Sequence, residues 1–423
     1  MDLSVKYDTL QLAQEMLDRQ ADQHLTNMKS FAQEWCHIPR GGGGAVGTLA
    51  TKAAEASDGN AVGEIFQKFM PLNEDLAASG ERSLDLLTTL HKKSAEAMGD
   101  TIDTYAEADK AAYEAFAKLL SVLGISVEPF SDPRDNPAQL GAADHSASSN
   151  YGGGDPFVFE QAAKEGSEAG EYDRYKRQRR RDQVARAASQ DRSIQESQDA
   201  SSFLVPPETP TSEMENLRWS AGVILGSIDW MIEKITGKSL LNDVIYKYVV
   251  GDWKVVSRAS IAWLEISDAA VAVGQNDSEI LPALSEWTGK GSDAAIAFIT
   301  QLSENTTAFK DVAKFFSDAM KRFALVLKLA ATGIGAALKF ISELVLRLIA
   351  EGAIPVAGWI AAAADAAWHV SKVIGYIKLI YGIVNGIFDA LNNFMETKAK
   401  ADEIEYTLAN MAEARVRREA ATR

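Results

Sequence analysis

Few residue groupings in this 423-residue chain have the types and spacing to do chemistry. "TGKS" at 236–239 ends like a phosphate-cradling loop, but that loop needs a glycine at position 232, which is Ile232, and a buried strand before it. His24, His37, His91, His145 and His369 show no ligand-like spacing, and the single Cys36, read as a partly buried thiol, rules out a disulfide framework or a thiolate cluster. No metal and no cofactor is expected. Asp365 and His369 stand one helical turn apart, a spacing that suits a structural hydrogen bond better than catalysis. No nucleophile has a base and an orienting group at a defensible spacing, so the chain is expected not to be an enzyme. Two groupings remain. "YAEAD" places Tyr105 and Asp109 on one face of a helix, where another macromolecule could read them as a handle. The competing reading packs Tyr105 in an apolar stripe and leaves Asp109 to solvate its edge. Trp287, Thr288 and Gly289 form a W-x-G, in which an indole can plug a helical turn and a glycine accepts the turn's backbone angles. The indole N–H is expected to find a polar partner.

Composition narrows the classes further. A formal net charge of −16 opposes sequence-independent binding of nucleic acid or anionic lipid by the chain as a whole, so any basic site must be local. With 46% apolar residues the chain can build a substantial core. The opening "MDLSVKYDTLQLAQEMLDRQ" has neither a basic nor an apolar leader region, so a cytoplasmic protein, or one that leaves by another route, is expected. The longest charge-free run lies at 352–364, short of the roughly 20 residues that span a bilayer, and no conventional transmembrane helix is expected.

The elements that must position these residues are helices. Leu10, Ala13, Leu17, Ala21, Leu25, Met28 and Phe31 recur at steps of three and four, which predicts a first helix of about 30 residues ending near "HIPRGGGG". The pattern resumes at Val62, Ile65, Phe69, Leu72 and Leu76, pauses at Gly80, and continues through Leu84, Leu87, Leu90, Met98, Ile102, Tyr105, Ala112, Phe116 and Leu119. These segments predict an antiparallel hairpin over 1–127. Pro, Gly, Ser, Asp and Gln dominate 128–212, read as a disordered linker. Its cluster "YDRYKRQRRRDQVARAASQDR" is a solvated polyampholyte, a protease-accessible site or a contact for an acidic partner. Region 213–423 is again helical, with a second hairpin predicted from 252–274 and 292–330 joined by "QNDSEILPALSEWTGKG". The predicted fold is all-α: an elongated helical bundle of two long antiparallel hairpin regions joined by a disordered linker.

Two other Y-x-x-x-[DE] matches, Tyr151 to Asp155 and Tyr248 to Asp252, fall in the linker and across an expected helix boundary, so neither is expected to present both side chains on one continuous helix. The first region, with "TIDTYAEADKAAYEAF" closing its second helix, resembles the small EspC-like substrates of actinobacterial type VII (ESX) secretion, whose export motif is Y-x-x-x-[DE] after a helical hairpin. The second, with "SEWTGKGSDAAIAF" between helices and an apolar helical tract beyond, resembles their larger EspA-like partners. Together the resemblances cover about 300 residues and lie in pattern and order more than in identity. In that family one partner supplies the W-x-G turn and the other the Y-x-x-x-[DE], so the recognised surface is composite. The resemblance implies that Trp287 and Gly289 stand near Tyr105 and Asp109, with Tyr105 and Asp109 as the secretion signal and Trp287 and Gly289 shaping the adjacent hairpin turn. It implies export by the type VII machinery, independent of a signal peptide, to the outside or the envelope, with a homo-oligomer or a related helical substrate as further partner. The first turn departs from W-x-G, having Trp35, Cys36 and His37, which fits an EspC-like half. The linker is long enough for pairing within one chain or exchange between chains.

Residues 321–395 carry a wide apolar face with Lys328, Lys339, Glu343, Arg347 and Glu351 along one stripe, and "EGAIPVAG" is read as a break between two helices. A bundle core is one reading, and membrane contact or pore formation after export is another. A cytoplasmic helical scaffold is the remaining alternative.

Overall fold

The computed structural model describes residues 6–38, 63–122, 128–147, 151, 193–208, 229, 232–233, 239–249, 254–284, 287–350, 371–392 and 406. The glycine-rich first turn, the basic cluster, the break after Glu351 and the Asp365 and His369 pair lie outside the described residues. The fold is all-α, with no strand among the described residues. Helix α1 (Tyr7–Arg19) passes through a π-helical turn (Gln20–Leu25) into α2 (Thr26–Trp35), and α3 (Glu64–Val122) returns antiparallel to them. A π-helical segment (Leu241–Val249) precedes α4 (Lys254–Leu284) and α5 (Lys290–Ala350). Helix α6 (Ser371–Asn392) follows. At about 1.5 Å per residue, α3 and α5 each run close to 90 Å, which makes the bundle elongated.

The apolar stripe of the first helix is buried along its whole length, from Leu10 to Phe31. That of α3 is buried from Ile65 to Ile102, but Phe116 is 67% exposed. The reason is length: α1 begins at the level of Asp109, where the Tyr7 hydroxyl donates to it, and α3 continues past that point. Register within each hairpin is set by polar contacts along its edge. Lys29 Nζ lies 2.8 Å from Asp85, Lys92 Nζ lies 2.6 Å from Asp22, and in the second hairpin Ser303 Oγ donates to the Gly274 carbonyl at 2.6 Å.

The two hairpins pack within one chain, with α3 and α4 parallel. Trp263, fully buried, lies over Gly80, and a Cβ there would come within 2.2 Å of its ring. This is why α3 does not pause at Gly80: the residue is a notch in a continuous helix, which also runs through Pro71. Eleven residues on, His91 Nε2 donates to Asp277 Oδ2 at 2.9 Å, both side chains being wholly buried. His91 Nδ1 points at the Leu87 carbonyl at 2.8 Å, so both ring nitrogens face acceptors. Burial works against the charged ring, yet the Asp277 charge and its hydrogen bond outweigh it and raise the His91 pKa. Phe69 and Phe323 stack at 4.7 Å and tie α3 to α5.

Two expectations need correction. Helix α4 continues through Gly274 and Pro282 to Leu284, so the second turn is far shorter than 275–291. Segments 128–147 and 193–208, read as part of the disordered linker, are docked on the bundle. Gln11 donates to the Pro133 carbonyl and accepts from Ala138 N–H, both at 2.9 Å, and Glu15 accepts from Leu140 N–H at 2.6 Å. The segments also bond to each other, Asp144 N–H to Glu196 O and Asp199 N–H to His145 O, each at 2.8 Å. Helices α5 and α6 are each long and apolar enough to cross a membrane by length and composition alone, a test that a buried core helix also passes. Their apolar stretches carry isolated charges, among them Lys328, Lys339 and Lys378, so neither is a charge-free run.

Gly80→Ala should destabilise the protein by about 1–3 kcal/mol in urea denaturation, since its methyl group collides with a fully buried ring. His91 supplies a pH test. Its folded pKa lies above the ordinary 6.5, so its contribution is complete below about pH 6.5 and is lost as pH rises through the folded value. The urea midpoint should fall as pH rises through that window in wild type. His91→Gln, losing about 3–5 kcal/mol by leaving Asp277 buried and unmatched, should lack the step.

Candidate functional site

One end of the bundle carries both short motifs. Trp287 closes helix α4, its N–H donating to the Leu284 carbonyl at 3.1 Å, and Gly289 follows with φ of 123°, the left-handed region that favours glycine. Helix α5 then starts, and Asp293 N–H donates to the Gly289 carbonyl at 3.1 Å. The Trp287 side chain is 6% exposed and belongs to a separate core with Leu10, Met98, Ile102, Leu284 and Ile299. Gly291, which sequence reasoning passed over, leaves the space its ring needs: a Cβ there would lie 2.9 Å from Cζ2. Contrary to expectation, Trp287 Nε1 is buried without an acceptor among the described residues.

Tyr105 meets this plug. Its ring lies edge-to-face on Trp287, with centroids 6.2 Å apart and planes at 85°. Such pairs add about 0.5–1.5 kcal/mol beyond the area they bury. Asp109, one turn further along α3, is exposed and accepts a hydrogen bond of 2.6 Å from the Tyr7 hydroxyl. Partial burial and the Asp109 hydrogen bond push the Tyr7 phenol above its ordinary range, so it stays the donor. Beside it, Arg134 reaches Asp132 at 2.6 Å and Asp103 at 3.1 Å, and the hydrogen bonds from the Arg134 side chain and backbone N–H to Asp132 hold that carboxyl down at about 2.

The structure therefore joins Tyr105 to Trp287, places Gly289 in the turn behind Trp287, and gives Asp109 a partner from the start of α1. Neither Tyr7 nor Arg134 was foreseen. Tyr7 was legible as an apolar-stripe neighbour three residues before Leu10, but which residue would face its hydroxyl depends on hairpin register. Of the other Y-x-x-x-[DE] matches, Tyr248 packs edge-to-face on Phe388 at 5.9 Å and the Tyr151 hydroxyl donates to Asp268. Their acidic partners, Asp252 and Asp155, lie outside the described residues. Ser239, the last residue of "TGKS", donates to Asp229 at 2.6 Å and accepts from Asn242 N–H at 2.9 Å, which is a capping role.

A second polar cluster binds the docked segments. The Glu196 carboxylate, almost wholly buried, receives Arg19 Nη1 at 2.9 Å and His24 Nε2 at 2.6 Å, and Asn276 Nδ2 approaches it at 3.3 Å. Burial alone would raise the Glu196 pKa, but the hydrogen bonds from His24 and Arg19 prevail and lower it. Gln20 and His24 belong to the π-helical turn, whose altered pitch aims both inward. Among the described residues no group of three or more His, Cys, Asp or Glu could hold a metal ion.

Comparisons with family models, characterised proteins and solved structures return no match to this chain.

A double-mutant cycle with Tyr105→Leu and Trp287→Leu should give a coupling of about 0.5–1.5 kcal/mol in urea denaturation. Additive losses would show that the two rings are independent.

Proposed function

We propose that this chain is a non-enzymatic substrate of type VII (ESX) secretion that carries both halves of a paired export signal. Tyr105 and Asp109 are the signal, and Trp287 with Gly289 forms the hairpin turn beside it. What supports this reading is one contact above all: the Tyr105 ring on the Trp287 ring, across two hairpins of one chain. A composite signal requires two helical pairs in register, and here one polypeptide supplies both. The Tyr7 hydroxyl holds the start of α1 against Asp109, so the signal is complete only when the first hairpin is closed. The partner is the secretion machinery, which would read a folded surface, and the protein would act outside the cytoplasm or in the envelope.

The test measures the fraction of protein in the culture supernatant, with lysis controls, in a host with an active type VII system. Tyr105→Ala combined with Asp109→Ala should abolish export while helical content is retained. Trp287→Ala should cost about 3–5 kcal/mol of stability, because it empties a buried indole site. Unchanged export of the Tyr105 and Asp109 variant would remove the signal, and absence of wild-type protein from the supernatant would favour the cytoplasmic scaffold.

A further inference from the structure

The opposite end of the bundle has a different surface. Beyond the Phe69 and Phe323 stack, α5 runs on to Ala350 with α6 packed against it, Phe340 stacking on Tyr376 at 5.4 Å. Both helices are apolar, yet only 39% of the most apolar window of α5 and 22% of that of α6 is buried. Leu329 (62% exposed), Phe340 (48%), Leu346 (50%), Ile374 (37%) and Leu379 (52%) make up most of the large exposed hydrophobic residues of the described chain. The Phe340 and Tyr376 stack joins the two helices' exposed edges across their seam.

The charges on the same two stretches run against the chain's balance. Lys339, Arg347, Lys372 and Lys378 are exposed there, against Glu343 and Asp389. A net positive surface stands on a chain of net charge −16. Cations and apolar side chains adjoin in sequence: Lys339 with Phe340, Leu346 with Arg347, Lys378 with Leu379. In that arrangement aliphatic and aromatic groups can enter the acyl boundary while ammonium and guanidinium groups stay at headgroup level.

We infer that the exposed face of α5 and α6 is a docking surface for an anionic lipid bilayer. Charge complementarity selects this occupant. A second copy applied to the same face would set positive against positive, whereas anionic headgroups neutralise it. The remainder of the chain carries a net negative charge, which opposes its own contact with the same bilayer. The inference does not rest on the export reading, since the Tyr105 surface lies at the far end of α3.

The test is flotation of the full-length protein with vesicles of phosphatidylcholine alone and of phosphatidylcholine mixed with phosphatidylglycerol. Binding should require the anionic lipid, weaken with added salt, and fall at least about tenfold in Lys339→Glu combined with Lys378→Glu. Phe340→Ser with Leu379→Ser, both largely exposed positions, should also weaken it with helical content unchanged by circular dichroism. Equal binding to the two vesicle types, or binding to neither, would overturn the proposal. So would self-association through this face that is indifferent to lipid, which would make a second copy the occupant.

Discussion

The arrangement of this molecule depends on the register of α3 against α4. Trp263 fits over Gly80, where any side chain would collide with it, and His91 pairs with Asp277 in a wholly buried site. Neither contact tolerates a slip: one turn of displacement would drive a Cβ into the indole and strand a buried carboxylate beside apolar groups. From Gly80 to Tyr105 is 25 residues along α3, and from Trp263 to Trp287 is 24 along α4. Two parallel helices of equal rise that are pinned at one level must meet again at the other. The meeting of Tyr105 and Trp287 is thus a consequence of interlocks about 20 and 35 Å away, by the same rise per residue.

Polar burial, rather than apolar burial alone, decides how the parts are fastened. The segments flanking residues 148–192 contribute few large apolar side chains, and they are held by buried groups: Glu196 among Arg19, His24 and Asn276, and the Gln198 carbonyl accepting from Asn276 at 2.7 Å. Such clusters yield little net stability, because each group must first be taken out of water. Their effect is on specificity, since a docked strap shifted by one residue would leave several donors and a carboxylate unmatched. Segment 193–203 touches both hairpins, through His24 on one side and Asn276 on the other, so it closes the seam between them.

This division explains what the sequence made legible. The stripe from Leu10 to Phe31, the antiparallel hairpins and the all-α class follow from periodicity, which reports burial on one face directly. Gly80 was misread because helix propensity penalises glycine, and only Trp263 on the neighbouring helix α4 reveals what the missing Cβ makes room for. The length of α4 was misread for a similar reason, as Gly274 and Pro282 weaken a helix that tertiary packing restores. The docked flanks were invisible because hydrophobicity cannot see a strap held by Gln11, Glu15, Arg19 and Glu196. At the site, the spacing of Tyr105 and Asp109 was readable, whereas Tyr7 and Arg134 reach it through long-range register that no local pattern encodes.

The two ends of the bundle differ in how they meet solvent. At the Tyr105 end the aromatic pair is largely covered, and what faces outward is a set of carboxylates, Asp103, Glu107 and Asp109, with Arg134 and Tyr7 among them. At the α5 and α6 end the aromatic and aliphatic groups face outward and the charges beside them are mostly positive. Long parallel and antiparallel helices hold these surfaces apart by nearly the length of the molecule, and neither can fold over the other without breaking the interlock at Gly80. The separation is set by two helices of 59 and 61 residues, the first keyed to α4 by two buried contacts and the second joined to α4 through the Trp287 turn.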